Sequence, residues 1–288
     1  MFEFNESLEQ ARARNVRDAL LEDYGMCDWT GLLIEQGCRV RAEVRVREEA
    51  VLCGQAWFED CLHSLDPSAE VQWHYTEGQD MRADSVVCRL HAHARALLAA
   101  ERPCLNFLQL LSATAYTTRL HVRAIEGASP NPRGCAVLDT RKTVPGMRQA
   151  QKYAVRVGGG ANQRLALWHG ILIKENHITA AGGITPVLQQ AQALNSGVDI
   201  QIEVESLDEL KQALAAGATS ILIDNFSLAG MRQAVLITAG RALLEVSGGV
   251  TLEQLCDIAA TGVDRISIGK LTKDIRAIDF SMRVYSTL

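Results

Sequence analysis

The chain has 288 residues, 48% of them hydrophobic, and 34 acidic against 29 basic side chains leave it at a net charge of −5. That is enough apolar material for one large core or two unequal ones, and the negative balance excludes sequence-independent nucleic-acid binding over a broad basic surface. No apolar run approaches the roughly 20 residues that cross a bilayer, and the opening MFEFNESLEQARAR carries acids where a secretory segment needs basic and then apolar residues. No membrane or nucleic-acid partner is therefore expected, and the expected location is cytoplasmic. Cys27, Cys38, Cys53, Cys61, Cys88, Cys104, Cys135 and Cys256 are scattered without a CxxC pair, which reads as free, mostly buried thiols.

Along the chain, Leu8 to Tyr24 has the spacing of an amphipathic helix. Arg39 to Arg47, RVRAEVRVR, alternates strictly, with Val40, Ala42, Val44 and Val46 on one face of a half-buried strand. Strand-like runs follow at Val71 to Tyr75 and Ser85 to Leu90, with helical patterns at Ala56 to Leu65 and from Arg102 to about Ile125. Pro103 suits the first position of that last helix, which would leave Arg102 beside a helix N-terminus. These elements predict an N-terminal α+β domain over residues 1–112.

From residue 135 the pattern changes. Short apolar runs recur and end in a polar residue or glycine: CAVLD at Asp139, ILIK at Lys174, IQIE at Glu203, ILID at Asp224, ALLE at Glu245 and RISIG at Gly269. Each is followed by a helical segment, the signature of βα units, which predicts a parallel β/α barrel over residues 113–275. Catalytic groups of such barrels sit at the carboxyl ends of the strands, where Lys174, Glu203 and Asp224 fall. The loops Ser247-Gly248-Gly249 and Ser267-Ile268-Gly269 follow the last two strands, where barrels bind phosphate, and Thr251 would cap a helix from Leu252 to Thr261.

Charge sharpens the reading. Between Thr140 and Lys174 there are seven basic residues (Arg141, Lys142, Arg148, Lys152, Arg156, Arg164 and Lys174) and no acid. Pro145-Gly146 and Gly158-Gly159-Gly160 make part of this strip loop, so that cations can converge on a small polyanion. Arg148, Lys152 and Arg156 recur four apart and read as a solvated helix face.

The segment LDTRKTVPGMRQAQKYAVRVGGGANQRLALWHGILIKENHI, with EVESL, IDNF, EVSGGV and TGVDRISIGKLTK downstream, resembles the quinolinate phosphoribosyltransferases, also called carboxylating nicotinate-nucleotide pyrophosphorylases. The resemblance implies an α/β sandwich domain followed by an open β/α barrel of the type II phosphoribosyltransferase kind. A C-terminal segment of about 276–288 would pack back on the first domain. It implies transfer of phosphoribosyl from 5-phosphoribosyl 1-diphosphate to quinolinate with decarboxylation, in NAD biosynthesis, with Mg2+ as cofactor, in a homodimer with shared active sites. Residue by residue, it implies that Arg102 reaches the partner's site, and that Thr140, Arg141, Lys142, Gln163, Arg164 and Lys174 bind substrate. Glu203 and Asp224 would act near the ribose and metal, with Lys142 beside them in the reaction, and Ser247 to Gly249 and Ser267 to Gly269 would hold phosphate. Gln163 stands where the family usually has His, and glutamine can donate a hydrogen bond but cannot carry a proton. An alternative is the related group associated with molybdenum transport, acting on another acid.

Other features point elsewhere only superficially. His91 and His93 lie on one strand face but lack clustered carboxylates or thiols for a metal site. His177 has two equal readings, a loop-orienting role and a substrate contact.

Overall fold

The computed structural model describes residues 5–287. Its elements in chain order begin with α1 (Leu8–Asp23), β1 (Arg39–Val46), β2 (Ala50–Val51), α2 (Gln55–Leu65), β3 (Glu70–Trp73), β4 (Asp80–Met81), β5 (Ser85–His93) and α3 (Ala94–Ala124). They continue with β6 (Ala136–Leu138), α4 (Arg148–Val157), β7 (Gly170–Ile173), α5 (Glu175–Ala180), α6 (Ile184–Ala193), β8 (Asp199–Val204), α7 (Leu207–Ala215) and β9 (Ser220–Asp224). The last are α8 (Leu228–Thr238), β10 (Leu243–Ser247), α9 (Leu255–Ala259), β11 (Arg265–Ser267), α10 (Lys270–Lys273) and β12 (Phe280–Thr287).

Two compact units result. One takes in the described residues up to 119 together with 143–159 and those from 272 on; the other takes in 120–142 and 160–271. The expected boundary at 112 falls inside α3.

In the first unit an antiparallel sheet runs in the order β12-β1-β5-β3. The alternation of β1 decides its faces: Val40, Ala42, Val44 and Val46 are buried while Arg41 is exposed. β12 closes the other side of β1, from Val40 opposite Thr287 to Val46 opposite Phe280. Trp57, Phe58 and Leu62 from α2 fill the core under the sheet. Helix α3 corrects the expected start at Arg102. It begins at Ala94, directly after β5, with Pro103 inside it, and Arg102 is an exposed mid-helix residue. Leu97, Ala100, Cys104, Leu105, Leu108 and Leu111 are all buried along this helix. That continuous apolar face outweighs the one backbone bond a proline removes.

A second correction concerns α4. Arg156 is exposed, but Lys152 is fully buried, so the three cations do not form a solvated face. At the end of α4 the glycine run is loop, and Gly158 lies against α3, where Arg119 donates to its carbonyl at 3.0 Å.

In the second unit six strands, all parallel, run in the order β6-β11-β10-β9-β8-β7. The two edge strands, β6 and β7, are not paired with each other among the described residues, so the β/α barrel is open; the outer edge of β6 carries only an isolated bridge from Leu138 to Ala161. The outward face is apolar, as at Ile202 and Val204 of β8, Ile221 and Ile223 of β9, and Leu244 and Val246 of β10. The alternate residues Gln201, Glu203, Asp224, Glu245 and Ser247 turn to the other face. Most strand ends shift slightly from expectation. β6, β7 and β11 stop before Asp139, Lys174 and Gly269, β8 runs one residue past Glu203, and β10 continues from Glu245 to Ser247, so Glu245 lies within its strand. All eight cysteines are free; Cys53, Cys61, Cys88 and Cys104 are buried, and Cys256 is exposed.

Candidate active site

Parallel strands send every side chain at their carboxyl ends toward one rim, and the second unit places the expected residues there. Thr140, Arg141 and Lys142 follow β6, Gln163 and Arg164 occupy the loop before β7, and Lys174 follows β7. Glu203 stands on β8 and Asp224 ends β9. Ser247-Gly248-Gly249 follows from β10, and Ser267-Ile268-Gly269 from β11. Arg102, Arg148, Lys152 and Arg156 belong to the first unit.

Three groupings form among them. The first is a cationic pair. Arg164 donates from Nη1 to the carbonyl of Gly170 at 2.9 Å. Desolvation first, and then the positive charge of Arg141, push the Arg164 guanidinium below its ordinary value. Two guanidiniums held near enough to repel one another mark a place that an anion would relieve. The second is the pair Lys174 Nζ to Glu203 Oε2 at 2.7 Å, with Glu203 12% exposed and Lys174 44%. The β7–β8 ladder sets this pair, since adjacent strands end side by side.

The third grouping is Asp224 with the glycine loop. Asn225, in the left-handed region at φ +57°, donates from Nδ2 to Asp224 Oδ2 at 2.8 Å. Gly248 at φ +102° packs so closely that a Cβ there would lie 2.5 Å from Asn225 Oδ1 and 3.0 Å from Asp224 Oδ1. Register places Ser247 opposite Asp224. The helix expected from Leu252 is instead a 3-10 turn, Leu252–Gln254, followed by the short α9. Its start is closed by Thr251 N donating to Gln254 Oε1 at 3.1 Å. The anion contact expected at this loop would therefore use loop amides rather than a long helix.

Beneath the rim lies a polar interior that the sequence reading missed. Asp139 is fully buried and accepts from Asn162 Nδ2 at 2.6 Å and from Gln163 N at 3.0 Å, anchoring the loop that carries Gln163 and Arg164. Gln163 Nε2 donates to Gln201 Oε1 at 2.8 Å, and Gln201 Nε2 donates to Glu245 Oε2 at 2.9 Å. Burial pushes the Glu245 carboxyl above its ordinary range; the Gln201 amide, the nearby Ser267 hydroxyl and Arg265 oppose this, and Asp139 adds to it. The available signal was the polar residue at every second position inside otherwise buried runs, IQIE and ALLEVS. His177 has a local contact, its Nδ1 accepting from Lys174 N at 3.0 Å at the start of α5.

The donor set bears on magnesium. No group of three or more His, Cys, Asp or Glu side chains that could hold a metal ion is present among the described residues. Glu203 and Asp224 on neighbouring strands fit a magnesium ion that keeps its waters and arrives with phosphate oxygens, which needs only one or two carboxylates. A concavity of about 460 Å³ opens at the opposite ends of the strands between Pro130, Arg133, Thr238, Ala242 and Asp264. It contains none of the expected site residues.

Cations, carboxylates and a glycine loop gathered at the strand ends of a parallel barrel are the arrangement of an enzyme that acts on anionic substrates. Residues 28–112 match the family described as quinolinate phosphoribosyl transferase, N-terminal domain, and residues 114–283 match its C-terminal domain. The chain belongs to the quinolinate phosphoribosyltransferase family. It is 39% identical over 267 residues to the probable carboxylating nicotinate-nucleotide pyrophosphorylase of Bacillus subtilis, covering 92% of this chain and 90% of that one. It is 36% identical over 277 residues to the Mycobacterium leprae carboxylating enzyme, covering 93% and 95%. The solved nicotinate-nucleotide pyrophosphorylase of Francisella tularensis superposes with a TM-score of 0.91 at 42% identity, covering 98% of each chain. That of Ehrlichia chaffeensis gives a TM-score of 0.89 at 32% identity, covering 99% and 100%. These relatives do not favour the molybdenum-transport alternative.

Proposed function

We propose that this enzyme transfers the phosphoribosyl group of 5-phosphoribosyl 1-diphosphate to quinolinate with decarboxylation, releasing nicotinate mononucleotide, diphosphate and carbon dioxide in NAD biosynthesis. The observation that carries the reading is the convergence of Arg141 and Arg164 near one another, on the rim where Glu203 and Asp224 also end. Quinolinate is a dianion, and guanidinium forks suit its carboxylates. Lys174, already drawn to Glu203, offers a compact charge to the same anion, and Thr140 and Gln163 supply neutral donors. The loops Ser247 to Gly249 and Ser267 to Gly269 supply backbone amides to phosphate.

As diphosphate departs, positive charge builds on the ribose carbon, and Glu203 and Asp224 stabilise it or hold the ribose hydroxyls. Lys142 balances charge on the departing group. Magnesium, when bound with the diphosphate, neutralises part of that charge; Glu203 and Asp224 are the residues that would hold it. The ribosylated pyridinium nitrogen then accepts the electron pair left by the carboxylate, so the substrate is its own electron sink. The proposal includes a homodimer in which Arg102 serves the partner's site, and a cytoplasmic location. Among the described residues no helix is long and apolar enough to cross a membrane.

The direct test measures carbon dioxide released from carboxyl-labelled quinolinate. Release that depends on both 5-phosphoribosyl 1-diphosphate and magnesium is expected; folded protein that binds both substrates and releases none refutes the reading.

A further inference from the structure

We infer that Gln151 is a positioning residue: its side-chain amide closes a frame that holds the 140–142 loop and the 267–269 loop side by side. The inference rests on the reading of those two loops as substrate contacts.

The two loops start together. They leave β6 and β11, neighbours in the parallel sheet, with Leu138 opposite Ser267 and Ile268 N donating to the Leu138 carbonyl at 2.8 Å. Their exits are joined as well. Gln151, on α4, accepts at Oε1 from the N–H of Val144, just beyond Lys142, at 2.8 Å. Its Nε2 donates at 2.9 Å to the carbonyl of Thr272, just beyond Gly269. Val144, Gln151 and Thr272 all belong to the first unit, so this tie lies within one unit. Each loop is thus bounded by the sheet ladder where it begins and by the same carboxamide where it ends.

The chemistry of the join calls for an amide. A backbone N–H can only donate and a carbonyl can only accept, so the carboxamide has one orientation here, oxygen toward Val144 and NH2 group toward Thr272. Neither backbone group is served by a ladder. Val144 stands before the Pro145-Gly146 turn, and Thr272 lies in the last turn of α10, where the helix itself supplies no donor. Gln151 and Thr272 are both fully buried, which keeps bulk water from taking the place of the amide. An apolar residue at 151 would fill the same space and leave both groups without this partner. The Val144 end of the tie is itself anchored. Met147 N donates to the Val144 carbonyl at 3.1 Å, and the Gly146 carbonyl accepts from Asn15 Nδ2 on α1 at 3.0 Å. Gln151 therefore fastens the exit of the 267–269 loop to a fixed turn, and so limits how far the two loops can part.

Two variants and two measurements test this. Gln151→Met keeps the volume and removes both bonds. It is expected to lower kcat/KM for quinolinate and for 5-phosphoribosyl 1-diphosphate about 10-fold each, at a temperature where circular dichroism shows it folded. Gln151→Glu keeps an acceptor toward Val144 N and, ionised, sets a second acceptor against the Thr272 carbonyl. Its KM for 5-phosphoribosyl 1-diphosphate should rise about 10-fold while that for quinolinate stays within about twofold. Hydrogen–deuterium exchange gives a readout independent of turnover: in Gln151→Met, peptides covering 139–144 and 267–272 should exchange faster, and those of the antiparallel sheet should not. Wild-type kcat/KM in folded Gln151→Met would reduce Gln151 to packing and overturn the inference, as would unchanged exchange in those two peptides or equal rises of both KM values in Gln151→Glu. If Gln151→Glu does not fold, Gln151→Met decides by kinetics and exchange together. Wild-type protein that turns over neither substrate would refute the reading of the loops, and the exchange pattern would still decide whether Gln151 ties them.

Discussion

Gly248 shows how one residue ties a loop to the chemistry. Its φ of +102° already disfavours any side chain, and the space its Cβ would take is held by Asn225 Oδ1 and Asp224 Oδ1. Gly249 is the natural contrast: φ is +57°, yet nothing lies within 4 Å of its would-be Cβ. Gly249→Ala should therefore cost only backbone strain, of about 1 kcal/mol, whereas Gly248→Ala must displace the Asn225 amide that holds Asp224 and crowd the carboxylate proposed to face the ribose. A displacement of that kind is expected to lower kcat/KM about 100-fold. Parallel kinetics and melting curves check this: the expected result is a Gly248→Ala protein that melts below Gly249→Ala but is still folded at the assay temperature, with its activity lost. Equal activity in the two variants would mean that the position of Asp224 does not matter.

At the level of elements, the most constrained contact is between α3 and the end of α4. A Cβ at Gly158 would meet the carbonyl oxygen of Ala115 and lie 2.7 Å from Thr118 Cβ, both on α3. Backbone cannot give way as a long side chain can, so Gly158→Ala is expected to destabilise by about 1–3 kcal/mol, the usual cost of overpacking. Urea unfolding reads this directly, and an unchanged midpoint would mean that the helices separate freely. The first glycine of the run thus has a packing role, whereas the sequence showed only a loop. Much else at this scale was legible. The alternation of β1 and the repeated βα spacing follow from burial on one face or on both, and periodicity reports burial directly. What periodicity cannot report is a polar group turned inward. Lys152 was read as solvated because charge usually is, and Glu245 was read as a strand end because a carboxylate usually stops an apolar run. Both are buried, and both lie in segments tied to the site by motif. The start of α3 was misplaced for another reason. Pro103 resembles a first-turn proline, but the apolar stripe from Leu97 through Leu111 passes it without a break, and that stripe was the better guide.

The whole molecule raises the question of where Arg102 acts. It is exposed on α3, and its nearest acid among the described residues is Glu101 at 3.9 Å, too long and too solvated to hold it. It borders a groove in the first unit lined by Arg14, Asp18, Glu22 and Asn106. A guanidinium so weakly committed within its own unit suits the proposal that its anion belongs to a second copy of the chain. Mixing two inactive variants then discriminates. In a twofold dimer, Arg102→Ala and Glu203→Ala place both lesions in one site of a heterodimer and leave the other site intact. Half the dimers are mixed after random exchange, so about a quarter of wild-type activity should return. Glu203→Ala with Asp224→Ala is the control. Both acids stand on neighbouring strands of one barrel, so each site of their heterodimer lacks one acid and no activity should return. Recovery in the first mixture alone establishes the shared site. With subunit exchange verified by differently tagged chains, silence in both mixtures would confine Arg102 to its own subunit, and equal recovery in both would remove the acidic pair from a common site.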